Sequence, residues 1–285
     1  MNLVFGATGK VGREVVKQLV AGGHPTRIYV RDSERAVALF GAEGYEIAIG
    51  DFDNQLALTA ALQGVHGVFI LTTDEERFYS EHLPTIVDAA KAAGVGRAVL
   101  LSARSDIGSY VPFLRMHGLA ERIVVNSGIP CTILRPTWFM QNFLSYAAGG
   151  EINFSAGKGS VGFIDTRDIA AVGVKALTEP GHQPKMYQLT GPEVIDHYAI
   201  AKILSEVTGK TFVYNDIDPE EHLKQLLSHG YSEALAKLNV ANTEGFRRLQ
   251  TGQQWPDLEE ILGHNGHTFQ EFVADHVNEF RAINP

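Results

Sequence analysis

The 285-residue sequence predicts an α/β fold, a doubly wound parallel sheet with a smaller α/β lobe toward its C-terminal end. Three observations predict it. Leu3 to Phe5, a short apolar run, leads directly into Gly6-Ala7-Thr8-Gly9-Lys10-Val11-Gly12 and then into a helical pattern in which Val11, Val15, Val16, Leu19 and Val20 share one face. Apolar runs then alternate with helical patterns at spacings of about 20–30 residues, the rhythm of parallel βαβ units. Beyond Asp165 the period shortens, as expected of a smaller lobe fused to the sheet. The expected division is 1–150 for the sheet domain and 151–285 for the lobe, with segments returning to the main sheet.

The glycine loop sets the first unit. In this strand–turn–helix context Gly6 permits the tight turn, Gly9 lets backbone approach a pyrophosphate, and Gly12 lets the helix sit close to the strand. Unpaired N–H groups at the helix start then face the phosphates. The spacing is G-x-x-G-x-x-G, so the alternative is a plain strand-to-helix turn. Arg27 to Val30 is the second strand, ending at Arg31; Ser33 reads as the cap of the helix containing Ala36, Val37, Leu39 and Phe40. Tyr45 to Ile49 is the third strand and Val65 to Leu71 the fourth, the latter running into Thr72-Thr73. A helix near Tyr79 to Ala93 buries Leu83, Ile86, Val87 and Ala90 and stops at Gly94. Arg97 to Leu101 is the fifth strand, Phe113 to Ser127 a helix, and Cys131 to Leu134 the sixth strand. Gly149 to Gly159 reads as a surface crossing. Helices over Asp168–Leu177 and Ile195–Val207, strands over Met186–Leu189 and Phe212–Ile217, and a largely helical stretch from Pro219 to Phe280 complete the chain.

Composition narrows the function classes. Apolar residues make up 45% and charged residues 20%, ordinary globular usage, and the net charge of −9 argues against a general nucleic-acid or anionic-membrane surface. No apolar run approaches the ~18 residues of a membrane span, and the N-terminus reads as a buried strand, not a signal peptide. A single cysteine, Cys131, excludes an intrachain disulfide and a cysteine-based zinc site. A cytoplasmic protein, monomer or homodimer, is the expectation.

Candidate site residues cluster at the carboxyl ends of the strands, where ligands of open α/β sheets bind. An acidic residue about 20 positions past the glycines usually holds the ribose 2′-hydroxyl of NAD; here the residue is Arg31, whose guanidinium suits a 2′-phosphate. NADPH is therefore the expected cofactor, with Ser33 and Arg35 as further phosphate contacts. Asp32, beside Arg31, can serve a 2′-hydroxyl instead, which leaves NADH open. Asp51 can accept from the adenine amino group with Phe52 against the ring; capping of the following helix is the other reading of Asp51 and the favoured one of Asp53.

Three stretches together, GATGKVG at 6–12, VRDSERA at 30–36 and SGIPCTILRPTWFMQNF at 127–143, resemble the NmrA-like branch of the atypical short-chain dehydrogenases, and within it the bacterial NAD(P)H:quinone oxidoreductases and triphenylmethane-dye reductases. FIDTRDIAAV at 163–172, YQLTGPE at 187–193 and ILSEVTGK at 203–210 extend the resemblance to nearly the whole chain. It implies a phosphate loop of Gly6, Thr8, Gly9, Lys10, Val11 and Gly12, a 2′-phosphate on Arg31, adenine flanked by Asp51 and Phe52, and a cofactor path along Leu71, Thr72 and Thr73. It further implies that Ser102, Ala103, Pro136 and Thr137 border the nicotinamide and that Trp138, Phe139, Asn142 and Phe143 form a substrate wall.

The sequence departs from the short-chain dehydrogenase pattern where the chemistry lies. Tyr110 is followed four residues later by Leu114, so no Tyr-x-x-x-Lys dyad occurs in this region. His117 and Glu121 stand in the region on one helical face. His117 can donate a proton near its natural pKa, or contact the nicotinamide amide without proton transfer. The missing dyad points to an acceptor already electrophilic, a quinone, azo compound or dye, and away from ketones. The rival is a cofactor-sensing regulator that exchanges NADP and NADPH without turnover. His264 and His267 lack a nearby carboxylate at ligand spacing and read as a turn, no metal being expected; His222 and His229 read as an exposed helix face.

Overall fold

The computed structural model describes residues 1–73, 75–103, 112–249 and 252–284. In chain order, β1 (Asn2–Phe5), α1 (Lys10–Ala21), β2 (Thr26–Val30), α2 (Ser33–Phe40), β3 (Glu46–Ile49), α3 (Gln55–Ala61), β4 (Gly67–Leu71), α4 (Leu83–Ala92), β5 (Arg97–Leu101), α5 (Pro112–Asn126) and β6 (Cys131–Pro136) alternate strictly. The chain then forms α6 (Phe143–Tyr146), β7 (Glu151–Phe154) and β8 (Ser160–Val161), and returns as α7 (Thr166–Thr178) and β9 (Lys185–Leu189). The remainder is β10 (Ile195–Asp196), α8 (His197–Thr208), β11 (Val213–Asp216), α9 (Pro219–Ser228), α10 (Glu233–Leu249), α11 (Asp257–Leu262), α12 (Phe269–Asp275) and α13 (Val277–Ile283).

Two compact units result. The first is Met1–Pro136 with Thr166–Leu189. Its sheet has the order β3-β2-β1-β4-β5-β6-β9, every pair parallel, which puts the reversal of strand order between β1 and β4. Buried on both faces, the central strands read as unbroken apolar runs. On one face Leu3, Phe5, Ile70, Ala98, Leu100 and Ile133 meet Leu58, Ile86, Ala90 and Val124 from α3, α4 and α5. On the other α1 and α7 lie together, with Gln18 Nε2 donating to the Arg167 carbonyl at 2.9 Å. Between β4 and α4, Phe78–His82 forms a wide π-helical turn.

The second unit is Thr137–Asp165 with Thr190–Pro285. β7 pairs with β11 in parallel and β8 with β10 antiparallel. An aromatic core holds Phe143, Phe154, Phe163, Phe269, Phe272 and Phe280. The Gly149–Gly159 stretch, expected at the surface, instead supplies β7 and the buried Ile152, Phe154, Ser155 and Ala156. Gly159 serves close packing: a Cβ there would stand 2.2 Å from the Phe246 carbonyl oxygen. His222, expected on an exposed face, is 1% exposed, its Nδ1 3.1 Å from the Ser155 hydroxyl. Aromatic and apolar neighbours on one side of α9 override its polar average.

Candidate nucleotide site

In the first unit a cavity of about 720 Å³ opens at the carboxyl ends of β1, β2, β3 and β4. Gly6, Ala7 and Thr8, Tyr29 to Asp32 and Arg35, Gly50 to Asp53, and Thr73, Glu75, Arg77, Phe78 and His82 line it.

The glycine loop is built for close approach. Gly6 has φ +66°, the left-handed region that glycine adopts without a Cβ penalty. A Cβ on Gly12 would lie 2.2 Å from the Gly6 carbonyl oxygen, so only glycine lets α1 begin this near the turn. Gly9 is the N-cap and has no side chain to receive the first N–H groups of α1. These donors suit an anionic group at the helix start, so the residues present fit a dinucleotide pyrophosphate. Val11 is buried in the core and offers only backbone; Lys10 is exposed.

At the end of β2, Arg31 and Arg35 are both exposed and both line the cavity. Among the described residues neither side chain makes a hydrogen bond or ion pair, so both guanidinium groups line the cavity unmet. Asp32, not Ser33, caps α2: its Oδ1 accepts from Arg35 N–H at 3.0 Å. The cap must sit outside the helix with extended φ/ψ, and here that is Asp32, at φ −128° and ψ 105°. Ser33, the first residue of α2, does not line the cavity; Arg35 does.

At the end of β3, Asp51 Oδ1 accepts from the N–H groups of Asp53 and Asn54, and Asn54 is the cap of α3. Asp53, expected as a cap, instead takes Arg77 bidentately at 3.0 and 2.6 Å, with His82 Nε2 at 3.2 Å. That partner lies 24 residues away, beyond any local pattern. The Phe52 ring lies among Phe5, Tyr29, Phe78 and His82, with centroids 5.6–6.1 Å away, and Tyr29 donates its hydroxyl to the Asp51 carbonyl at 2.7 Å. Arg77, Glu75 and His82 are cavity residues the sequence reading missed; the only signal was a basic residue shortly after a parallel strand.

Farther along the strand ends, Leu71 packs against Gly6, Thr72 donates to the Leu101 carbonyl at 3.2 Å, and Thr73 lines the cavity. The Ser102 hydroxyl donates to Glu121 Oε1 at 2.7 Å, and Arg135 grips the same carboxylate at 2.8 and 2.5 Å. Ala103 follows Ser102, half-buried, and Pro136 ends β6 beside Leu189. His117 is 4% exposed, with Nδ1 3.5 Å from both the Thr72 and Ser102 hydroxyls and the ring edge-on to Tyr79. Burial pulls its pKa down to about 4, against the opposing pull of Glu121. The expectation of a near-natural pKa is thus corrected: His117 is neutral near pH 7. Tyr110 lies outside the described residues.

In the second unit, Thr137 donates to the Gly162 carbonyl at 2.5 Å, Trp138 meets Phe246 edge-on at 5.0 Å, and Phe139 bridges to Ile164. Trp138, Phe139 and Asn142 are half-buried. Phe143 is 0% exposed, enclosed by Tyr146, Phe163, His197 and Phe269, and is a core residue, not part of an open substrate wall. Among the described residues no His, Cys, Asp or Glu cluster could hold a metal, and no helix is long and apolar enough to cross a membrane.

The NmrA-like family profile matches residues 2–272. The NAD(P)H azoreductase of Xenophilus azovorans is 35% identical over an alignment of 295 positions that covers 99% of this chain and all of the relative. The structure of the NADPH-dependent quinone oxidoreductase QOR2 of Escherichia coli with NADPH superimposes with a TM-score of 0.85 at 28% identity, over 96% of this chain and 99% of that one. The triphenylmethane reductase of Citrobacter sp. with NADP(H) gives a TM-score of 0.83 at 26% identity, over 96% and 100%. With glycine cradle, sheet order and end-to-end similarity in agreement, the chain belongs to the NmrA-like family.

Proposed function

We propose that this protein is an NAD(P)H-dependent reductase that passes hydride to a planar, electron-poor acceptor: a quinone, an azo compound or a dye. One observation carries the reading: a cavity runs from a glycine cradle to two unmet guanidinium groups, in a chain 35% identical along its full length to an NAD(P)H azoreductase. The reduced nicotinamide, when bound, supplies the hydride; the chain supplies orientation and a defined polar environment.

The residues divide that task. Backbone N–H groups at Lys10 to Gly12 hold the pyrophosphate, with Thr8 and the Lys10 side chain beside it. Arg31, aided by Arg35, takes the 2′-phosphate, and because Asp32 is engaged in capping α2 the balance tips to NADPH over NADH. Leu71, Thr72 and Thr73 line the path onward, and Asp51 and Phe52 flank the adenine. Ser102, its own hydrogen given to Glu121, presents oxygen lone pairs and so accepts from the nicotinamide carboxamide. His117, neutral at pH 7, supports that contact and is not the acid that protonates the reduced acceptor. An electrophilic acceptor takes hydride without prior protonation, so the lack of a cationic acid is tolerated.

The test is direct. Purified protein is mixed with NADPH and a panel of quinones, azo compounds and triphenylmethane dyes, and the reduced-nicotinamide absorbance is followed. Acceptor-dependent loss of that band is expected. Nucleotide binding with no acceptor-dependent oxidation would overturn the reductase reading.

A further inference from the structure

Among the described residues three guanidinium groups line the cavity, and they are not equivalent. Those of Arg31 and Arg35 are unmet. Arg77 has its edges filled: Nε donates to Glu81 at 2.8 Å, and Nη1 and Nη2 donate to the two oxygens of Asp53 at 3.0 and 2.6 Å. The end-on grip that a guanidinium uses for a phosphate is already occupied by a carboxylate. With Asp53, Glu75 and Glu81 nearby, this side of the cavity also repels anions. What Arg77 has left to offer is the flat face of its guanidinium.

Stability does not account for the arrangement. The Arg77, Asp53 and Glu81 side chains are each more than half exposed, and exposed ion pairs of this kind contribute little to folding. Their effect is to fix the plane of one cation. Asp53 is itself steadied by His82 Nε2 at 3.2 Å, and His82 in turn lies against Phe52, centroids 5.6 Å apart. Arg77 and Phe52 thus belong to one wall of the cavity, with the Arg31 end next to it.

We propose that Arg77 is a binding residue for the nucleotide, its guanidinium face stacking on the adenine ring while Asp53 and Glu81 hold that face in place. The inference rests on the dinucleotide reading of the cavity and adds a ring contact to it. A guanidinium held flat over a purine gains from both stacking and cation–π attraction. Lysine keeps the charge and the link to Asp53 but has no plane.

Isothermal titration calorimetry with NADP+ and with NAD+ tests this on wild type, Arg77→Lys and Asp53→Asn, each checked for fold by circular dichroism. Arg77→Lys should weaken both nucleotides by the same factor, about three- to tenfold, leaving their ratio unchanged. Asp53→Asn, which keeps the arginine but loosens its plane, should weaken both in the same direction. Wild-type affinity in Arg77→Lys would overturn the role of Arg77 alone. Weakening confined to NADP+ would make Arg77 a phosphate contact and overturn it too. Wild type binding neither nucleotide would instead remove the dinucleotide reading beneath it.

Discussion

His197 gives a test of the second unit that needs no ligand. It is the first residue of α8, 0% exposed, with its ring among Phe143, Phe154, Phe163 and Tyr214 at 5.2–5.9 Å. Among the described residues neither ring nitrogen has a hydrogen-bond partner. Burial lowers its pKa to about 4, more than Asp196 and Asp216 raise it. The unfolded chain, with a pKa near 6.5, binds more protons between these values, so stability is full above about pH 6.5 and falls as the pH drops toward 4. At about 1.4 kcal/mol per pH unit the loss by pH 4.5 is roughly 2.5 kcal/mol from this residue. His222, 1% exposed and also lowered to about 4 by burial, adds a loss of the same sign. The perturbation is His197→Phe, which fills the aromatic cage without a titrating group. Urea unfolding followed by tryptophan fluorescence reports on this unit, because both tryptophans, Trp138 and Trp255, lie in it. Wild type should lose stability steeply between pH 7 and pH 4.5, and the variant should retain about 2–3 kcal/mol of what is lost. It should also be no less stable at pH 7, since a buried polar atom without a partner costs about 1–3 kcal/mol. Identical pH dependence in the two proteins would refute the reasoning.

Three further outcomes are expected. Arg31→Ala should reduce the preference for NADPH over NADH by at least about tenfold, the worth of a charge-assisted contact of about 1.5–3 kcal/mol, measured as the ratio of dissociation constants; an unchanged ratio would remove Arg31 from the 2′-phosphate. Gly12→Ala places a methyl 2.2 Å from the Gly6 carbonyl oxygen and should cost about 1–3 kcal/mol of stability in denaturant melts, with weaker nucleotide binding. His117→Gln should leave kcat flat from pH 6 to 8, because the imidazole it replaces is already neutral across that range; a wild-type inflection near pH 6.5 that vanishes in the variant would contradict the burial of His117.

The parts of the fold legible in the sequence are those set by local pattern. The strands of the first unit are apolar runs whose burial on both faces follows from parallel pairing, and the reading located β1 to β6 within a few residues. Gly6 and Gly12 were legible because a missing Cβ is a property of one residue and its near neighbours. The misplaced features depend on backbone angles or on distant chain. Asp32 and Ser33 are adjacent and both good caps, and only backbone angles decide between them. Trp138 and Phe143 sit in one aromatic stretch, yet Phe143 alone is enclosed by Phe163 and Phe269, which lie far along the sequence. Asp53 and Arg77 meet across a crossover, and the depressed pKa of His117 comes from burial no short motif records.

The position of β9 at the edge of the sheet bears on the order of synthesis. β6 is complete at Pro136, but its neighbour β9 begins only at Lys185, and α7, which covers α1, begins only at Thr166. At ~5–20 residues per second a ribosome takes several seconds to bridge that interval. During it a nascent sheet carries an apolar strand, Cys131 to Pro136, with one row of backbone donors and acceptors unmatched, the kind of edge that recruits other chains. A fragment cut after Pro136 would keep that edge permanently, so the nucleotide-binding unit cannot be excised as a single contiguous piece without inviting aggregation.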